Sequence, residues 1–207
     1  MVPGRPRRRS LIRFAGAATL GALLPERTAG ASPLSADDLA RLTRGEIVKV
    51  PVDFDLPQGD YFGGISYAVV PAPLGAVAAA LDDPGTYPSI LPMTLEARLL
   101  SRRGVDSQVY LRQGVKLSSA AYVILVRRES QGLFRFWLDV SQPHQIEDFW
   151  GYFRVSPWGP EASLLTYAAV VRLEPGLVKL LFTEAIRGKS MDTPALVRAY
   201  VVARRTR

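Results

Sequence analysis

The chain has 207 residues, of which 48% are hydrophobic and 22% are charged, with no cysteine and one histidine, His144. This globular composition excludes a disulfide framework, a cysteine-ligated metal site, a thiol nucleophile and a metal site built from several histidines. The formal net charge is +7, but residues 1–31 hold six arginines and one glutamate, so the remainder carries only +2. A body this close to neutral does not predict a nucleic-acid partner.

The N-terminal segment, residues 1–31, has the features of an export signal. Its arginines precede an apolar stretch at residues 14–24, which is as long as a signal core and too short to span a bilayer comfortably. Ala29 and Ala31 place small side chains where a signal peptidase requires them. The pair Arg8-Arg9, followed by a spacer and two apolar residues, resembles a twin-arginine motif. We therefore expect a twin-arginine signal peptide and a periplasmic or extracellular mature chain, with a Sec signal or a retained anchor as the alternatives.

Residues 32–62 are interpreted as an N-terminal extension. Acidic residues follow Ser35 and open a short helix that ends at Gly45. Alternation over Glu46–Val52 predicts a short strand, and the prolines and glycines of Asp53–Gly64 predict a loop.

The pattern of residues 63–207 predicts one domain that begins with a strand and two short helices. Pro71 and Pro73 end the first strand and open a helix over Leu74–Leu81. Three prolines within Asp82–Pro92 exclude a regular helix there, so we expect a turn and a short helical piece, not a continuous helix from Leu74 to Leu91. The seven predicted strands are Ile65–Val70, Leu95–Arg102, Gln108–Val115, Ala121–Arg128, Leu133–Val140, Asp148–Val155 and Leu164–Leu173.

Helical spacing returns at residues 176–187 and 194–205. Because short links make the last six strands antiparallel neighbours, we expect an α+β fold in which a curved antiparallel sheet of seven strands is covered by a long C-terminal helix. Alternation in the strands and helical spacing predict which residues line a cavity between the two. These are Val109, Leu111, Phe136, Leu138, Phe153, Val155, Tyr167 and Val171 from the sheet, with Leu181 and Ala185 from the helix. The same alternation turns Val140 inward.

Three segments carry a resemblance to a known family. They are the strand–Pro-x-Pro–helix opening at residues 71–81, the segment Asp82–Pro92, and Gly151–Pro157 with its Gly-x-aromatic-x-apolar-x-Pro pattern. Their order, over residues 63–205, resembles the helix-grip fold of the START-like (SRPBCC) superfamily, in particular its polyketide-cyclase and coenzyme-Q-binding branch. The resemblance implies a hydrophobic small-molecule ligand, such as a lipid, an isoprenoid or a polyketide, with no cofactor. We expect membrane contact only during ligand exchange or through an uncleaved signal.

The sequence offers no catalytic constellation and no metal site. His144 is interpreted as an exposed loop residue, because no partner for a general base can be identified. Cyclases of the resembled family are thought to place tyrosine, arginine and acidic groups in the cavity, but alternation puts Arg112, Arg135 and Arg154 on the outer face. Among the tyrosines it puts only Tyr167 inside. We therefore expect a binding protein, with a cyclase- or aromatase-like enzyme and an envelope structural protein with a filled core as the alternatives.

Overall fold

The computed structural model describes residues 34–56, 59–115, 118–173 and 188–206. The predicted signal peptide and the predicted helix at residues 176–187 lie outside the described residues. The chain divides into two compact units, Met1–Asp37 and Asp38–Arg207. Of the first unit only residues 34–37 are described, and the first helix begins there.

Eight strands and four α-helices are present in the described part of the chain. The bounds are α1 Ala36–Thr43, β1 Val48–Leu56, β2 Gly59–Val70, α2 Leu74–Asp82, α3 Tyr87–Ile90, β3 Thr94–Arg103, β4 Asp106–Val115, β5 Ser118–Ser130, β6 Leu133–Leu138, β7 Asp148–Gly159, β8 Ala162–Arg172 and α4 Thr193–Arg205. No helix among these residues is both long enough and apolar enough to cross a membrane.

All eight strands form one antiparallel sheet in the order β1-β2-β8-β7-β6-β5-β4-β3. Consecutive strands from β3 to β8 pair with each other, as their short links require. Strand β2 pairs instead with β8, while α2 and α3 carry the chain to the opposite edge of the sheet. The predicted α+β class is confirmed, and the architecture is consistent with the helix-grip fold, but the predicted strand count of seven is one too low.

The eighth strand is β1, which contains most of the short strand predicted over Glu46–Val52 of the extension, whereas the loop predicted over Asp53–Gly64 is wrong. The described residues of this range complete β1 and form the first half of β2. Glycine was interpreted there as a loop signal, whereas the structure uses it for close approach between strands. A Cβ on Gly63 would lie 2.0 Å from the carbonyl oxygen of Ala169 on β8. Any side chain at this position would collide with β8, so glycine is found here inside a strand.

The segment Asp82–Pro92 has the predicted form of a turn followed by a short helix. Helix α2 ends at Asp82, a 3₁₀ turn occupies Pro84–Thr86, and α3 follows it. The side chain of Asp83 accepts a hydrogen bond from the Gly85 amide at 2.9 Å, and the Thr86 hydroxyl donates to the carbonyl of Ala80 at 2.7 Å. These bonds satisfy backbone groups that the broken helix leaves unpaired.

The helices pack on the inner face of the sheet. Helix α4 contacts β2, β8, α2 and α3, and it buries Val197 and Val201, which are four residues apart on one side of the helix. Strands β6 and β7 are among those whose ends differ from the prediction. Strand β6 stops at Leu138, which leaves Val140 67% exposed in a turn and not inward as predicted, and β7 continues to Gly159.

Candidate functional site

A cavity of about 480 Å³ lies against the inner face of the sheet. Its described lining comes from β2, from α3 and the residues after it, from strands β4 to β8, and from residues outside these elements, among them Gln145, Ile146 and Ser190. In a flat sheet β2 and β4 would be five strand spacings apart, or about 24 Å. Because Phe62 of β2 and Leu111 of β4 both line this one cavity, the sheet must curve around it.

One wall of the cavity is a cluster of five aromatic rings. Phe136 lies at its centre, with ring centroids 5.2 Å from Phe149, 5.4 Å from Phe153 and 6.2 Å from Tyr167. Tyr122 meets Phe149 edge to face at 5.8 Å. Offset and edge-to-face pairs of this kind are favourable packing arrangements for aromatic side chains. The cluster therefore forms an ordered apolar surface.

Two of the tyrosines that line the cavity are Tyr87 and Tyr167. The Tyr87 hydroxyl donates to the carbonyl of Leu81 at 3.1 Å. Burial raises the pKa of both tyrosines above the usual value, and for Tyr167 the Thr193 side chain partly opposes this rise. Both side chains are therefore neutral phenols across the physiological pH range.

A third tyrosine belongs to a polar chain at the cavity wall. The Tyr122 hydroxyl donates to the Oε1 atom of Gln113, and the Gln113 Nε2 atom donates to the Thr94 hydroxyl at 2.8 Å. The prediction that only Tyr167 points inward is wrong, since Tyr122 is 4% exposed and lines the cavity. Period-2 alternation in β5 places Tyr122, Ile124 and Val126 together on the inner face, and all three line the cavity.

The charged side chains lie outside the described cavity lining. No acidic or basic side chain is among the described residues that line the cavity. On the outer face Arg112 and Arg135 pair with Glu96 and Glu129 at 3.5 Å and 3.0 Å, and Arg154 is exposed. The three arginines thus have the outward orientation that alternation predicts.

The described parts of the chain contain no group of three or more histidine, aspartate or glutamate side chains that could hold a metal ion. His144 is exposed in the segment between β6 and β7, and its Nδ1 atom lies 2.7 Å from the carbonyl oxygen of Ile146.

The ten predicted site residues fall into three groups. Five line the cavity, namely Leu111, Phe136, Phe153, Tyr167 and Val171. Three are buried in the core but are not part of the cavity wall, namely Val109, Leu138 and Val155. Two, Leu181 and Ala185, lie outside the described residues.

The three buried residues that do not line the cavity show the limit of the alternation pattern. Alternation correctly predicts which face of a strand is buried, but it does not predict where along the strand the packed helices end and the cavity begins. Val155 pairs with Leu165 towards the hairpin end of β7 and β8, two strands that α2 contacts. The wall residues Gln113 and Phe149, which the prediction missed, lie towards the other ends of their strands.

The known proteins that resemble this chain resemble it in three-dimensional structure. No protein-family model and no curated protein matches this sequence. A STAR-related lipid transfer protein from Xanthomonas axonopodis superposes with a TM-score of 0.63 and 14% identity, covering 75% of this chain and 93% of its own. The Zhui aromatase/cyclase from Streptomyces sp. R1128 gives 0.58 and 15%, covering 78% and 97%. A START superfamily protein from Mycobacterium smegmatis gives 0.56 and 19%, covering 67% and 96%. The chain therefore shares its fold with these structures, and the START-like resemblance seen in the sequence is confirmed as a resemblance of fold.

Proposed function

We propose that this chain is an exported protein that binds a hydrophobic small molecule in the cavity between sheet and helices. The observation that carries the proposal is the cavity itself, about 480 Å³ in volume, with an aromatic wall and no charged side chain among its described lining residues. Ligand pockets are generally about 300–1,000 Å³ and predominantly apolar. Burial of apolar ligand surface would supply the affinity, at about 25 cal/mol per Å² before the costs of association.

The structural neighbours support the ligand class. One is named as a lipid transfer protein and another as an aromatase/cyclase, so this fold is found in proteins of lipid and polyketide chemistry. We infer that the ligand here is a lipid, an isoprenoid or a polyketide-like compound.

The geometry supports binding better than either alternative. A cyclase-like reaction would be favoured by a tyrosine with an arginine and an acidic group at the cavity, and the described lining provides tyrosines without charged neighbours. A structural protein with a filled core would have side chains where this cavity lies. Export is proposed from the sequence features of residues 1–31.

The experiment is uptake of an uncharged fluorescent apolar probe, N-phenyl-1-naphthylamine, by the purified protein, with native mass spectrometry to detect a co-purified adduct. We expect one probe per chain. Val171→Trp, which adds an indole group to the cavity wall, should weaken binding about tenfold or more while the free energy of unfolding changes little. The matched control is Val105→Trp, because Val105 is 51% exposed in the turn between β3 and β4.

Two results would contradict the proposal. One is absence of probe binding by the unmodified protein. The other is Val171→Trp that binds normally and loses about 1–3 kcal/mol of stability, which is the usual effect of overpacking a solid core.

A further inference from the structure

Tyr122 and Gln113 are neighbouring polar side chains of the described cavity lining, which also includes Ser119, Gln145 and Ser190. The Tyr87 hydroxyl is bonded to the carbonyl of Leu81. Tyr122 and Gln113 are bonded to each other, and both remain part of the cavity lining. These two side chains therefore bring polar groups to the cavity, unlike the phenylalanine rings of the aromatic wall.

Resting on the proposed function, we propose that Tyr122 and Gln113 form a polar subsite that binds an uncharged hydroxyl or carbonyl group of an otherwise apolar ligand. The pair thus defines the class of ligand that the cavity accepts.

The number of donors and acceptors supports this assignment. A glutamine amide has two N–H groups, and the Gln113 Nε2 atom uses one of them on Thr94. The second N–H has no partner in the described part of the chain. The Tyr122 oxygen donates its proton to Gln113 and retains its lone pairs. A ligand hydroxyl can accept from Gln113 and donate to Tyr122, and a ligand carbonyl can accept from Gln113.

The surroundings of the pair exclude a charged head group. No described lining residue carries a charge that could compensate a carboxylate or an ammonium group. Burial raises the pKa of Tyr122, so its side chain is neutral as well. An uncompensated charge buried in such an environment is strongly unfavourable, whereas a neutral group with its hydrogen bonds made is tolerated.

The position of the pair gives the ligand a direction. Gln113 lies near the end of β4, next to Gly114, whose amide donates to the Met93 carbonyl at 2.8 Å. The rings of Phe153 and Tyr167, on β7 and β8, form the opposite part of the aromatic wall. The polar group of the ligand should therefore lie beside β4 and β5, and its apolar part against β7 and β8. A few polar groups in an apolar pocket commonly fix orientation in this way.

The experiment uses four ten-carbon probes that differ only in the head group: decane, 1-decanol, 2-decanone and decanoate. Their affinities are measured by displacement of N-phenyl-1-naphthylamine from the full chain. We expect decanol and decanone to bind about fivefold to tenfold more tightly than decane, the effect of one net hydrogen bond, and decanoate to bind most weakly.

Substitutions at the pair provide the second comparison. Tyr122→Phe and Gln113→Leu should each remove most of the preference for decanol over decane, while decane binding shows that the cavity is intact. Tyr110→Phe is the matched control, since Tyr110 lies on β4 under the Arg98 guanidinium and is not among the described residues that line the cavity, and it should keep the preference.

The two proposals fail in different ways. Equal binding of all four probes, strongest binding of decanoate, or a decanol preference that survives both substitutions would overturn the polar subsite and leave the binding function in place. Absence of binding by every probe would overturn both.

Discussion

Gly151 on β7 lies directly opposite Phe136 on β6, and the Phe136 ring occupies the space that a side chain at position 151 would need. A Cβ on Gly151 would lie 2.6 Å from the Cζ atom of Phe136 and 2.1 Å from the carbonyl oxygen of Ala168. Phe136 is the centre of the aromatic wall, in contact with Phe149 and Phe153. Glycine at position 151 therefore allows the Phe136 ring to take its place in the cavity wall.

Gly151→Ala should destabilise the protein by about 1–3 kcal/mol, because the added methyl group forces either the Phe136 ring or the β8 backbone to move. Displacement of the ring should also lower the affinity for an apolar probe. Urea unfolding measures the first effect and probe titration the second.

Gly159→Ala is the matched control, since Gly159 ends the same strand and an added Cβ there meets no atom within 4 Å. It should change stability by no more than about 0.5 kcal/mol. Equal effects of the two substitutions would show that the contacts of Gly151 do not determine stability.

Stability should fall as the pH rises from about 10 to about 12. Burial, together with the hydrogen bond that Tyr61 donates to Asp148 at 2.6 Å, raises the pKa of Tyr61 to about 12, and burial raises the pKa of Tyr67 to about 12. An unfolded chain releases these protons near pH 10, so the native state binds more protons in this interval. The stabilising contribution is complete below pH 10 and is lost above it.

Urea unfolding midpoints measured between pH 10 and pH 12 test this predicted loss of stability. The substitution Tyr61→Phe should make the midpoint fall less steeply with pH. A stability that is constant from pH 10 to 12, or a decline of the same slope in Tyr61→Phe, would show that these phenols are not linked to folding.

Cleavage of the precursor is expected after Ala31, so that the exported protein begins at Ser32. Ala29 and Ala31 supply the two small side chains that a signal peptidase requires. N-terminal sequencing of protein recovered from the periplasm or the medium tests this. An N-terminus far from Ser32, or an uncleaved chain, would contradict it.

Replacement of both Arg8 and Arg9 by lysine should retain the precursor in the cytoplasm, because the twin-arginine pathway recognises the arginine pair itself and the charge is preserved in the variant. Cell fractionation followed by detection of the chain measures the outcome. The matched control is Arg5→Lys together with Arg13→Lys, which alters two arginines outside the motif and should leave export unchanged. Normal export of the Arg8 and Arg9 variant would indicate the Sec pathway.

Local patterns determined most of the secondary structure. The strand predicted over Gln108–Val115 is observed as Asp106–Val115, and the break predicted within Asp82–Pro92 is present. Both depend on physical signals contained in a short segment, namely period-2 alternation and the backbone restriction of proline. The inward orientation of Phe136 and Phe153 and the outward orientation of Arg112 follow from the same alternation.

Only the tertiary structure determined which inward residues face a cavity. Val109 and Leu111 share one face of β4, yet only Leu111 lines the cavity, because the position where the packed helices end depends on contacts between distant segments. The pairing of Tyr122 with Gln113 likewise depends on the β4–β5 register, in which Leu111 faces Tyr122 and Gln113 is the next inward residue. The glycine-rich start of β2 is a strand because β8 lies beside it. Hydrophobic pattern specifies a face, whereas cavity position and strand partners are set by long-range packing that no short segment contains.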